Sequence, residues 1–84
     1  MRTNQVYETL FESVYRNHVI RIWFKGEDSP ELEPTANNLI SEAVSNGSSP
    51  QEIARVIAGN DGVAAVQVNR AGSKVAALVY NDWP

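Results

Sequence analysis

Residues 63–81 have the sequence VAAVQVNRAGSKVAALVYN, and the fold depends most on this stretch. Two valine-rich arms, residues 63–69 and 74–81, flank a four-residue segment, RAGS, that contains a glycine. Valine is frequent in strands, and a short glycine-containing segment between two such arms is typical of a β-hairpin. The sequence therefore predicts a C-terminal β-hairpin. The alanines in both arms indicate that a helix packs closely against it.

Another strand is predicted over residues 18–25, HVIRIWFK, because apolar residues alternate there. Ile20, Ile22 and Phe24 would share one face. The second face is half apolar, which favours a position inside the sheet over a bare edge. That second face would carry Val19, Arg21, Trp23 and Lys25.

Three helices are predicted around these strands. Residues 3–16 have apolar side chains at intervals of three and four, which indicates an amphipathic helix. A second helix contains residues 36–44, and Gly47 is expected as its left-handed C-cap. The third begins at residues 49–52, SPQE, which form a capping box with proline at the first helical position, and it ends at Gly59.

The predicted fold is a single α+β domain over residues 1–84, with the order α-β-α-α-β-β. Its three-stranded sheet would have the helices packed mainly on one face. The chain has no cysteine, so packing alone must stabilise it. Without a secretory or membrane-spanning pattern, a cytoplasmic location is the default expectation. The predicted core consists of Leu10, Phe11, Val14, Ile20, Ile22, Phe24, Leu39, Ile40, Val44, Ile53, Ile57, Val66 and Val79.

The net charge of −3 conceals an acidic block, because residues 26–54 contain six carboxylates and neither Lys nor Arg. Four of these carboxylates, Glu27, Asp28, Glu31 and Glu33, fall in a proline-containing segment that is expected to be an exposed loop. Such a block repels nucleic acid and favours a basic protein partner. Its spacing does not fit a calcium-binding EF-hand loop, so no metal site is predicted.

Aromatic residues supply the other candidate binding positions. Arg21, Trp23 and Lys25 share a strand face, and basic residues interleaved with an aromatic can stack bases and contact phosphates. Alternatively, Trp23 packs under the first helix while the long basic stems cover apolar surface. Trp83 and Tyr80 are further candidates because aromatic side chains are common interface anchors.

No enzyme motif is present. His18 is the single histidine, and the sequence identifies no orienting partner that would make it a general base. The glycines do not form a phosphate-binding loop, and no cofactor is predicted.

The sequence thus favours a non-catalytic protein-binding module, of the kind found in small inhibitors and accessory subunits. The alternative is DNA binding centred on residues 49–81. Residues 49–55, SPQEIAR, resemble the opening of a helix-turn-helix in bacterial regulators, and this resemblance implies either a recognition helix over residues 62–70 or a winged variant. The valine content of residues 63–68 favours the hairpin. An exposed sheet edge and an apolar second face would also permit a homodimer.

Overall fold

The computed structural model describes residues 9–26, 29–47 and 49–81. Within these residues the elements follow the order β-β-α-α-β-β, and the strands form one antiparallel sheet in the order β1-β2-β3-β4. The elements are β1 (Thr9–Tyr15), β2 (His18–Phe24), α1 (Leu32–Asn46), α2 (Pro50–Ala58), β3 (Val63–Arg70) and β4 (Ala76–Tyr80).

The predicted order α-β-α-α-β-β and the three-stranded sheet were wrong, because residues 9–15 form a strand and not part of a helix. Residues 3–8 of that predicted helix lie outside the described residues. The apolar spacing was ambiguous: Phe11 and Tyr15 are four residues apart, which places them on the same face of either a helix or a strand. Pairing with β2 from Thr9 to Tyr15 satisfies the backbone in the extended form.

A two-residue turn, Arg16-Asn17, joins β1 to β2. Both residues have positive φ, 49° and 69° respectively. Two residues with positive φ are what a type I′ hairpin turn requires, and asparagine tolerates this region well. Asn17 is therefore the local sequence signal for the hairpin that the helical interpretation missed.

β2 lies inside the sheet, between β1 and β3, as its half-apolar second face predicted. Ile20, Ile22 and Phe24 are buried on the helix side. The valine-rich arms pair antiparallel as β3 and β4, from Ala65 opposite Tyr80 to Asn69 opposite Ala76. This pairing confirms the predicted hairpin.

The helices differ from expectation mainly at their ends. α1 begins at Leu32, so the predicted loop ends earlier than expected and Glu33 lies in the first turn of the helix, where a carboxylate interacts favourably with the helix dipole. Gly47 has φ −99° and is therefore not the predicted left-handed cap. α2 begins as predicted, and the Ser49 hydroxyl accepts a 3.2 Å hydrogen bond from the backbone N–H of Glu52.

The core lies between the two helices and one face of the sheet, and no polar or charged side chain among the described residues is buried in it. The prediction was wrong for Leu10 and Val14, which are 48% and 68% exposed. Alternation along β1 turns both away from the helices. Phe11, Leu39, Val44 and Val79 are partly buried at the margin of the core.

Asn81 connects the end of β4 to the helix layer. Its side-chain amide donates to the carbonyl oxygen of Ala58, the last residue of α2, and to the carbonyl oxygen of Val63 at 3.2 Å. Its backbone N–H donates to the carbonyl oxygen of Ala64 at 2.8 Å. One residue thereby joins α2, β3 and β4.

In the part of the chain that the structure describes, neither helix has the length and apolar character required to cross a membrane.

Candidate functional site: the open face of the sheet

The sheet has one face covered by α1 and α2 and a second face on which no described helix packs; we call the second the open face. Cross-strand pairing arranges its residues in three rows that run from β1 to β4. The first row is Leu10, Trp23, Ala65 and Tyr80; the second is Glu12, Arg21, Gln67 and Leu78; the third is Val14, Val19, Asn69 and Ala76.

Large apolar and aromatic side chains are exposed on the open face. Val14 is 68% exposed, Tyr80 59%, Leu78 51% and Leu10 48%. Isolated exposed apolar residues are ordinary on protein surfaces, but several on one sheet face form a patch of the kind that marks an interaction site. The composition therefore favours burial against another molecule.

A concavity of about 350 Å³ lies elsewhere, along β4, but the open face has its own depression of about 290 Å³. Its walls are formed by Trp23, Gln67, Leu78 and Tyr80, with the small residue Ala65 between them. Ligand sites for small molecules usually have volumes of about 300–1,000 Å³, so this depression is at the lower limit. Its size and aromatic walls suit a single side chain inserted by a protein partner.

The second row contains an ion pair. Arg21 Nε lies 2.8 Å from Glu12 Oε2, and the side chains are 40% and 51% exposed. The Arg21 guanidinium thus has a carboxylate partner on the neighbouring strand. The pair contributes no net charge, whereas a groove for single-stranded nucleic acid needs an excess of positive charge.

The structure separates the predicted binding residues into two groups. Arg21 and Trp23 are neighbours on the open face, and Lys25 lies just beyond the end of β2. Glu31 and Glu33 are exposed at the start of α1. Glu27, Asp28 and Trp83, the other predicted binding residues, lie outside the described residues.

A cleft of about 550 Å³ lies between the start of β1 and the start of α1. It is lined by Leu10 and Phe11 of β1 and by Leu32 and Glu33 of α1, together with Thr9, Ser29 and Pro30. Leu10 also begins the first row of the open face. Through Leu10 the open face therefore adjoins this cleft. Glu33 lines the cleft and Glu31 is the N-cap residue of the same helix; we call these two carboxylates the acidic rim.

Sequence reasoning missed three residues of this surface. Leu10 and Val14 were assigned to the core, and Leu78 was not singled out. In a strand, residues separated by an even number of positions lie on the same face. Once residues 9–15 and 76–80 are taken as strands, this rule places Leu10 with Val14 and Leu78 with Tyr80.

His18 is at the end of the sheet, beside the β1–β2 turn. Its Nδ1 lies 2.9 Å from the carbonyl oxygen of Arg16 and donates to it when that nitrogen carries the proton. This bond accounts for the orientation of the imidazole. Within the described ranges, no group of three His, Cys, Asp or Glu residues is arranged to hold a metal ion.

Comparisons of the chain with protein-family models, with curated proteins and with solved structures found no match.

Proposed function

We propose that the protein is a non-catalytic protein-binding module whose open face binds the partner. The observation that carries this proposal is the exposure of Leu10, Val14, Leu78 and Tyr80 on one sheet face. Burying such side chains contributes about 25 cal/mol per Å² of apolar area, so a complementary partner gains free energy by covering them. Trp23 and the adjacent depression supply a central anchor point.

The acidic rim specifies the character of the partner. Glu33 lines the cleft beside Leu10 and Glu31 is the N-cap residue of the same helix, so a partner with a basic region next to an apolar one fits both surfaces. Electrostatic attraction of this kind mainly accelerates association. A small acidic inhibitor or accessory subunit, acting in the cytoplasm, has these properties.

Two features of the fold disfavour the helix-turn-helix alternative. Residues 63–70 form β3, whose first four residues are buried, so the described chain has no recognition helix at this position. The β3–β4 hairpin also does not project from the domain as a wing would, because β3 pairs with β2 along its whole length. We therefore propose protein binding in preference to DNA binding.

The test begins with capture of partners from the native host by the wild-type protein, followed by affinity measurements on purified partner with two open-face variants. Trp23→Ala removes the anchor, and Leu10→Lys places a charge in the same row. An anchor of this type contributes at least about 2 kcal/mol, so we expect affinity to fall roughly 30-fold or more.

Val56→Lys is the matched control. Val56 is 42% exposed, similar to Leu10, but lies on α2, on the other side of the sheet. Val56→Lys should change the affinity for the partner by no more than about twofold relative to the wild type. Circular dichroism should confirm that all three variants fold. Equal affinity of the wild type and both open-face variants would refute binding through the open face.

The acidic rim is tested by Glu31→Lys/Glu33→Lys, with Glu42→Lys as the control. Glu42 is an exposed carboxylate on the same helix, outside the cleft. We expect the double variant to associate at least tenfold more slowly at low ionic strength and the difference to shrink with added salt. Association rates that are the same for all three proteins would exclude the rim from the interface.

A further inference from the structure

The outer edge of β4, over its described residues Ala76–Tyr80, has none of the usual features that keep an edge strand from pairing with another chain. Residues 76–80, AALVY, contain no charge, no proline and no glycine, and the preceding Val75 is 78% exposed. Proteins commonly protect such edges with charged residues, proline or a bulge. Among the described strands, β4 has β3 on one side only.

The direction of the backbone groups shows what this edge offers. The N–H of Asn81 donates to Ala64 of β3, and backbone groups alternate in direction along an extended strand. Val79 and Ala77 therefore direct their N–H and C=O groups toward β3. Ala76 and Leu78 direct theirs outward, away from the sheet.

We infer that this edge pairs antiparallel with β4 of a second copy, about a two-fold axis at Leu78. Leu78 is the central residue of β4, and its outward N–H and C=O would bond to the same groups of Leu78 in the second copy. The two four-stranded sheets would then become one continuous sheet. Their open faces would lie side by side.

The side chains of β4 complement one another in this register. Ala76 stands opposite Tyr80 of the second copy, and Ala77 stands opposite its Val79, so each small residue faces a larger one. The concavity of about 350 Å³ runs along this edge, lined by Pro50 of α2 and by Ala77, among others. It gives space beside Ala77 for Val79 of the second copy.

The other edge strand is less suited to self-pairing. The central residue of β1 is Glu12, so the same two-fold arrangement would place two Glu12 carboxylates opposite each other. Like charges directly opposite on neighbouring strands are destabilising. β4 is therefore the edge at which two copies of this chain fit.

The decisive variant is Leu78→Pro, with Leu78→Ala as the matched control. Proline removes only the outward N–H, because Leu78 does not donate to β3, and proline is compatible with an edge strand whose N–H faces solvent. Alanine removes the same side chain beyond Cβ but keeps the N–H. The comparison therefore separates the backbone bond from the side-chain contact.

Sedimentation velocity of the wild type over a range of concentrations should show exchange between a 9.3 kDa species and one of twice that mass. We expect Leu78→Pro to raise the dimer dissociation constant at least tenfold more than Leu78→Ala does. Val14 lies on the open face but far from β4, so Val14→Lys should change the dimer dissociation constant by no more than about twofold. Amide exchange at Ala76 and Leu78 in the wild type should slow as concentration rises.

A wild-type protein that stays at 9.3 kDa up to about millimolar concentration, with exchange at Ala76 and Leu78 independent of concentration, would overturn the inference. So would a dimer equally sensitive to proline and alanine at position 78. A dimer that Val14→Lys dissociates would place the contact on the open face instead. The exchange measurement uses the wild type, so it decides the matter even if Leu78→Pro does not fold. None of these results depends on the variants that test partner binding.

Discussion

Replacing Ile22 by alanine is expected to destabilise the protein by about 3–4 kcal/mol. Ile22 is fully buried in an interior strand and stands between Phe11 of β1 and Val66 of β3 on the helix side. The change removes roughly three buried carbons, each contributing about 0.8 kcal/mol. The resulting cavity adds about 1 kcal/mol, because strands on both sides prevent the site from collapsing.

The matched substitution is Val14→Ala. The sequence pattern assigned Val14 to the core, but its side chain is 68% exposed in the structure. Surface substitutions usually change stability by less than about 0.5 kcal/mol. The difference in unfolding free energy between the two variants therefore tests which faces of β1 and β2 are turned toward the helices.

Urea unfolding followed by circular dichroism measures both effects. With a denaturant dependence of about 1–3 kcal/mol per M, Ile22→Ala should lower the midpoint by more than 1 M, and Val14→Ala should leave it almost unchanged. If the wild type has an unfolding free energy of about 5–15 kcal/mol, the Ile22→Ala variant would remain folded or would be only marginally stable. Similar losses for both variants would mean that β1 does not have the orientation described.

Three further substitutions test individual contacts. Asn81→Ala should cost about 1–3 kcal/mol, because the carbonyl of Ala58 loses its donor, and an unchanged thermal midpoint would contradict the role of this side chain. Gly47→Ala should cost about 1–3 kcal/mol, because the new Cβ would lie 3.0 Å from Ile53 Cγ1. The backbone of Gly47 has an ordinary φ, so this cost would come from the close contact alone. A neutral or stabilising result in the same assay would show that α2 can shift to make room. Ser49→Ala should cost about 1 kcal/mol by removing the N-cap of α2, and Ser49→Asp should restore most of the loss; equal midpoints for wild type and Ser49→Ala would show that the cap contributes nothing.

Local signals predicted part of the fold correctly. The capping box at Ser49, the alternation of residues 18–25 and the valine-rich arms of residues 63–81 each have one dominant structural interpretation. The first hairpin could not be recognised from spacing alone, because Phe11 and Tyr15 are compatible with both periods. The Arg16-Asn17 turn and the pairing of β1 with β2 decide between them.

The candidate binding surface was harder to predict than the strands that carry it. Trp23 and Arg21 were correctly placed together on one strand face, but their exposure depends on which side of the sheet the helices cover. With β1 assigned as a helix, Trp23 had a natural place beneath it. As a strand, β1 instead extends the sheet and contributes Leu10 and Val14 to the open face.

The order of the strands also has a kinetic consequence. Each hairpin consists of strands that are adjacent in the chain, so β1–β2 and β3–β4 can form early. β2 can pair with β3 only after the chain has closed the long loop that contains both helices. The hydrogen bond from the Lys25 N–H to the Gly62 carbonyl, 2.9 Å long, closes that loop at its base. Mutations in the β1–β2 turn should therefore slow folding, and mutations at the β2–β3 seam should mainly accelerate unfolding.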